Sequence, residues 1–223
     1  MAKSSAINSS QSMNYIIDNQ VYILGDFEDE GMNELIGELS NKILKLPQMP
    51  KFDTSIKIEN PYIIDDPKRP VIDFFIDSYG GYANMLNDLS TLINLAKYKG
   101  AIVRTTVLSN AFSCGSLLAI QGTQGYRLMS HDAQHLVHFG TNVVQVSTER
   151  EIPERTRHIR ENKRAILSKY KTYTQISDEE LNKYKNCETG FINAKKCLRL
   201  QFCDWIIGED GILICRKNKG RTK

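Results

Sequence analysis

The chain has 223 residues, 41% hydrophobic and 25% charged, which suits one large globular domain with a sizeable core. A formal net charge of +3 is too small to argue for a nucleic-acid partner, and no apolar run approaches the roughly 18 residues a membrane span needs. The five cysteines form no C-x-x-C pair and are odd in number, which predicts free thiols in a reducing compartment, with a cytoplasm as the expected location.

Residues 1–14 are rich in Ser, Asn and Gln and lack the apolar stretch of a secretory signal, so a flexible segment is expected over 1–18. One folded domain is expected over 19–216, followed by a basic tail over 217–223 that reads as a solvated terminus. Gln20 to Gly25 reads as a short buried strand closed by glycine. Met32, Leu35, Ile36, Leu39, Ile43 and Leu44 recur at steps of three and four, which predicts a helix. Residues 46–70 hold most of the chain's six prolines and read as an irregular excursion carrying a short edge strand at Ser55–Ile58. Val71–Ile76 is a second strand, running into Asp77-Ser78-Tyr79-Gly80-Gly81. Then come a helix with Met85, Leu89, Leu92, Ile93 and Ala96 on one face, a strand over Ile102–Leu108, and a helix opened by Ser113. Short strands at Tyr126–Met129 and His135–His138 precede a long charged helix over about 148–172. Shorter helices near 178–185 and 193–200 and a hairpin over 203–215 end the domain. Strands alternating with helices at this spacing predict an α/β domain with a mainly parallel sheet.

Chemistry gathers in three segments. The stretch Ala111-Phe112-Ser113-Cys114-Gly115 lies between a strand and a helix, the context a presented serine nucleophile requires, though any tight βα turn looks similar. Gly80-Gly81 follows another strand, where paired glycines let a backbone N–H approach a substrate. With the Cys114 N–H, that amide could hold a developing oxyanion. A serine hydroxyl is a weak nucleophile without a base, and His138, at the end of its strand, is the best-placed histidine. His135, three residues earlier, belongs to the opposite face of that strand. No metal or nucleotide motif appears, and no cofactor is expected.

These segments together resemble the ClpP family of serine peptidases, from about residue 20 to residue 207. Val21 to Asp29 is similar to the family's first strand and its "VED" turn. Ile72 to Gly81 resembles "IYLYINSPGG", with Tyr79 in place of proline. Asn110 to Gly115 resembles "QAASMG", Gly122 to Arg127 resembles "GxKGKR", and Leu136 to Gly140 resembles "MIHQP". The resemblance implies an α/β ClpP/crotonase-like spiral of ββα units with a protruding handle helix over about 148–175. It further implies Ser113 as nucleophile, His138 as base, and Gly81 and Cys114 as oxyanion hole. The third motif departs from the pattern, since no aspartate precedes Phe191-Ile192-Asn193-Ala194. Asn186-Cys187-Glu188-Thr189-Gly190-Phe191 matches the shorter form carried by viral relatives, which makes Asn186 the expected orienter and Glu188 the second candidate.

By resemblance the protein is expected to be a serine endopeptidase acting on peptides or unfolded proteins inside a heptameric ring or stacked rings, fed by an AAA+ unfoldase. Any ATP use would belong to that partner. The missing aspartate and an N-terminus unlike the family's pore-forming segment keep open a second reading, a catalytically weak or inactive subunit that scaffolds or modulates a Clp ring. A third, an acyl-CoA-handling relative of the same architecture, is disfavoured by the Ser113/His138 pair. About twenty residues near 46–70 are extra relative to the family. Ile152, Ile159, Ile166 and Tyr173, at heptad spacing, suit a partly dry ring–ring contact.

Overall fold

The computed structural model describes residues 13–139, 152–185 and 190–216. Alternation of side chains in and out of the core builds its central strands. Val21 and Ile23 in β2 (Gln20–Leu24) are buried, and in β3 (Val71–Ser78) every second residue from Ile72 to Ser78 is buried while its neighbours are half exposed. That pattern gives the sheet one apolar face, covered by helices, and one mixed face. On the mixed face Tyr15, Tyr22 and Phe75 stack in a row, and Arg104 grips Asp73 with two hydrogen bonds.

β1 (Met13–Ile17) pairs antiparallel with β2, so the flexible segment expected over 1–18 is corrected for residues 13–17. The Tyr15–Tyr22 stack at 4.7 Å and a turn at Asp18, with φ of 51°, hold this hairpin. After β2 comes α1 (Asp29–Lys45), with Met32, Leu35, Leu39 and Ile43 buried and Leu44 turned outward. The excursion over 46–70 has no strand at Ser55–Ile58. There the Asp53 carboxylate accepts from the Ser55 N–H and hydroxyl, which closes a local turn that competes with sheet pairing. The excursion is closed on itself by Arg69 Nη1 donating to the Pro50 carbonyl, and it is docked on the domain where Arg69 Nη1 also donates to the Gly100 carbonyl and Met49 N–H to the Lys99 carbonyl.

β3, α2 (Ala83–Tyr98) and β4 (Ile102–Phe112) follow, and then α3 (Cys114–Ala119), β5 (Arg127–Ser130) and β6 (Gln134–Leu136). α4 (Ile152–Tyr173) spans 22 residues, and the expected helix residues 148–151 lie outside the described residues. It is followed by α5 (Asp178–Lys185), β7 (Phe191–Asn193), α6 (Ala194–Arg199), β8 (Trp205–Ile207) and β9 (Leu213–Cys215). Among the described residues, nine strands form one sheet in the order β1-β2-β3-β4-β5-β8-β9, with β6 and β7 branching from β4. The inner pairs are parallel, as expected, and antiparallel strands close both edges. The protein is therefore a mixed α/β fold. Of the heptad stripe on α4, Ile166 and Tyr173 pack against the domain's own core, while Ile152 is exposed. Among the described residues no helix is long and apolar enough to cross a membrane.

Candidate active site

β4 is longer than the sequence suggests because its end finds two partners. Asn110 N–H and Nδ2 both donate to the Asp77 carboxylate at 3.1 Å, and Asn110, Ala111 and Phe112 pair in parallel with Gln134, His135 and Leu136. The strand then breaks at Ser113, which has φ of 50° and ψ of −114°. A non-glycine residue takes such a conformation only where its surroundings impose it. Ser113 N–H donates to the Leu136 carbonyl at 3.0 Å and its own carbonyl accepts from Leu117, so the residue is fixed from both sides. Its hydroxyl faces His138, with Nδ1 of the imidazole 3.4 Å from Oγ. That separation is long for a hydrogen bond, a common feature of catalytic pairs that tighten only around substrate. Both side chains are half buried.

The glycine turn lies directly beneath. A Cβ on Gly80 (φ of 107°) would fall 2.8 Å from Ser113 Cβ and 3.2 Å from the Cys114 nitrogen. Gly81 (φ of 131°) is pressed equally closely on Phe27, where a Cβ would meet backbone at 2.7 Å. The turn is pinned on three sides: Gly80 N–H donates to Ser78 Oγ, Phe27 N–H to the Gly80 carbonyl, and Tyr82 N–H to the Phe27 carbonyl. Among the described residues this leaves the N–H groups of Gly81 and Cys114 without an acceptor. The Cys114 thiol donates to the Gly81 carbonyl at 3.2 Å, tying the two residues together. Burial pushes that thiol up to about 11, so it stays protonated and contributes through its backbone and packing.

His135 stands apart from this group. It is fully buried, and burial, with Arg127 as a secondary cause, pulls its pKa down to about 3. Its Nδ1 lies 2.9 Å from Ser116 Oγ, which also accepts from the Tyr170 hydroxyl at 3.2 Å. This neutral histidine belongs to the core. Among the described residues its Nε2 has no partner. Asn186 and Glu188, the expected third members, lie outside the described residues. Gly190, four positions after Asn186, is buried against Val137, whose N–H donates to its carbonyl at 3.0 Å. Among the described residues no group of three or more metal-ligating side chains is gathered.

The structure thus brings Ser113, His138, Gly81 and Cys114 to one place and leaves His135 out. Sequence reasoning missed Phe27 and Ser78, which hold the glycine turn, and the Ser116–Tyr170 link. Ser78 was legible as a polar residue in a buried strand position; Tyr170 carried no signal beyond its place on an apolar helix face. Tyr79, Phe112 and Phe191 form an edge-to-face row beside the serine, with both centroid spacings 5.3 Å, and Tyr79 and Phe191 are exposed.

Residues 62–210, well over half of the chain, match a family model described as Clp protease. No curated protein sequence matches the chain.

Proposed function

The chain belongs to the Clp protease family, and from that membership and the geometry around Ser113 we propose that it is a serine peptidase cleaving peptides or unfolded proteins. The observation that carries this reading is the strained turn that presents Ser113 with its hydroxyl 3.4 Å from His138 Nδ1. In this mechanism Ser113 Oγ attacks the scissile carbonyl carbon while His138 takes the hydroxyl proton. The carbonyl oxygen becomes an oxyanion and accepts hydrogen bonds from the Gly81 and Cys114 N–H groups, each worth about 10²–10³ in turnover. His138 then gives its proton to the leaving amine as the C–N bond breaks, which leaves an acyl-Ser113 ester. Water, deprotonated by the same imidazole, hydrolyses that ester and frees the serine. The exposed rings of Tyr79 and Phe191 favour substrates with large apolar side chains.

With Nδ1 turned to the serine, Nε2 is the nitrogen left for an orienting partner. We assign that role to Asn186, with Glu188 as the second candidate. The docking of Gly190 against Val137, the chain neighbour of His138, supports this assignment. An asparagine orients the imidazole without stabilising its positive charge; in a well-studied serine protease the same exchange costs on the order of 10⁴ in turnover. By family membership the chain forms, in this reading, heptameric rings, single or stacked, with α4 as the handle. The rings enclose the sites and receive substrate from an AAA+ unfoldase in a cytoplasm.

A fluorophosphonate probe tests the site. Ser113 in assembled protein is expected to gain the covalent adduct, Ser113→Ala to gain none, and Asn186→Asp to react faster. Assembled protein that stays unlabelled overturns the peptidase reading in favour of an inactive ring subunit acting as scaffold or modulator. An Asn186→Asp rate equal to or below the wild type removes Asn186 from the site.

A further inference from the structure

At the start of β4, the opposite end from Ser113, the excursion over 46–70 and the body of the domain enclose a cavity of about 290 Å³. Neither Ser113 nor His138, Gly81 or Cys114 lines it. Lys51 and Phe52 come from the excursion, Lys97 from the end of α2, Arg127 from β5, and Tyr173 from the end of α4. Among the described residues three cations reach the wall and no carboxylate does. Among the described residues only one of the three has a carboxylate partner: Arg127 is clamped by Asp204 through Nε (2.9 Å) and Nη2 (2.6 Å), with Nη1 on the Tyr173 carbonyl. Lys97 is part-buried, yet among the described residues its ammonium meets only the Gln121 and Gly122 carbonyls and the face of Tyr173, 5.6 Å to the ring centre. Lys51 has no ion pair among the described residues. Carbonyl dipoles and a ring face lend partial charges, so a buried ammonium held this way still lacks a counter-ion. Burial, with Arg127 and Lys51 nearby, pulls the Lys97 pKa down to about 8, the response of a cation short of negative charge.

We propose that this cavity binds a small organic anion, a carboxylate or phosphomonoester with one ring-sized apolar group, its charge on Lys51 and Lys97 and its body against Phe52 and Tyr173. The volume lies at the lower end of small-molecule pockets, enough for one ring and a head group. The site is independent of the peptidase reading, and its test reads binding and not cleavage.

Phenyl phosphate and benzoate, titrated calorimetrically into the full chain, distinguish the two head groups; inorganic phosphate and benzyl alcohol supply the head group alone and the neutral body alone. Saturable binding of at least one ring-bearing anion is expected, about tenfold weaker in Lys51→Gln and in Lys97→Gln. Benzyl alcohol is expected to give no binding heat. Lys51 is exposed, so Lys51→Gln keeps the test decisive even if Lys97→Gln fails to fold. No binding of either anion up to ~10 mM overturns the proposal. So does binding that Lys51→Gln leaves unchanged, or inorganic phosphate binding as tightly as phenyl phosphate.

Discussion

Ser113 carries backbone strain that the surrounding residues enforce. At φ of 50° and ψ of −114° an L-residue sits in a sparsely populated region, at a cost of roughly 1–3 kcal/mol. The Ser113 N–H is held by the Leu136 carbonyl and its carbonyl by the Leu117 N–H, so the backbone is fixed on both sides. Removing the Cβ of residue 113 should therefore relieve strain, while removing only its hydroxyl should not. Glycine also loosens the unfolded chain, which offsets the gain by about 0.4–1 kcal/mol. The net expectation is that Ser113→Gly is more stable than Ser113→Ala by about 1 kcal/mol, although both lose the nucleophile. Denaturant midpoints at unchanged m-value measure the difference. A glycine variant less stable than the alanine variant would show that the turn is relaxed.

Among the elements, α4 is anchored unevenly. Near its C-terminal end Tyr170 is fully buried, its ring near Phe139 and Phe202 and its hydroxyl on Ser116, and Lys169 donates to Ser90 Oγ. At its start Ile152 is exposed, and among the described residues Arg157 has only a loose pairing with Glu154 at 3.9 Å. Tyr170→Ala is expected to cost about 3–5 kcal/mol and Tyr170→Phe about 1 kcal/mol, while Ile152→Ala should stay within about 0.5 kcal/mol. Equal losses at both ends would mean that the helix is docked along its whole length. The periodicity of Ile152, Ile159, Ile166 and Tyr173 announced this helix, but a repeat of apolar residues cannot say which of them the domain itself covers. The long strands and helices were legible because each has a buried face several residues long. β7 was not, since Phe191-Ile192-Asn193 is a strand only through its pairing with β6. Reading β4 as ending at Leu108 failed for a related reason: polar Ser109 and Asn110 look like a turn, and Asp77 is what keeps them extended. The Ser113–His138 pair was legible from motif spacing, whereas the support given by Phe27, Ser78 and Tyr170 comes from distant parts of the chain.

For the molecule as a whole, the buried ionisable groups set a stability window in pH. Cys114 and Cys203 are pushed by burial up to about 11 and about 12, above the ordinary thiol value. On the alkaline side the unfolded chain therefore loses those protons first, and stability falls as pH rises past about 9. Lys97 acts in the opposite sense, adding stability between its folded value of about 8 and the ordinary lysine value. On the acid side His135 governs. Burial, then Arg127, holds its folded pKa at about 3, while in the unfolded chain it titrates near 6.5. The unfolded state thus binds a proton that the folded state refuses throughout that interval. The stability His135 contributes is fully present above about pH 6.5 and is lost as pH falls toward 3, by about 1.4 kcal/mol per pH unit. His135→Gln cannot take up that proton, so its unfolding free energy should fall less steeply below pH 6.5 than the wild type's. Chemical denaturation at pH 7.5, 6 and 5 reads the two slopes, and His135→Phe serves if glutamine proves too disruptive beside Ser116. Parallel slopes in wild type and variants would mean that His135 is already charged in the fold, which would contradict its burial against Phe202 and its bond to the Ser116 hydroxyl.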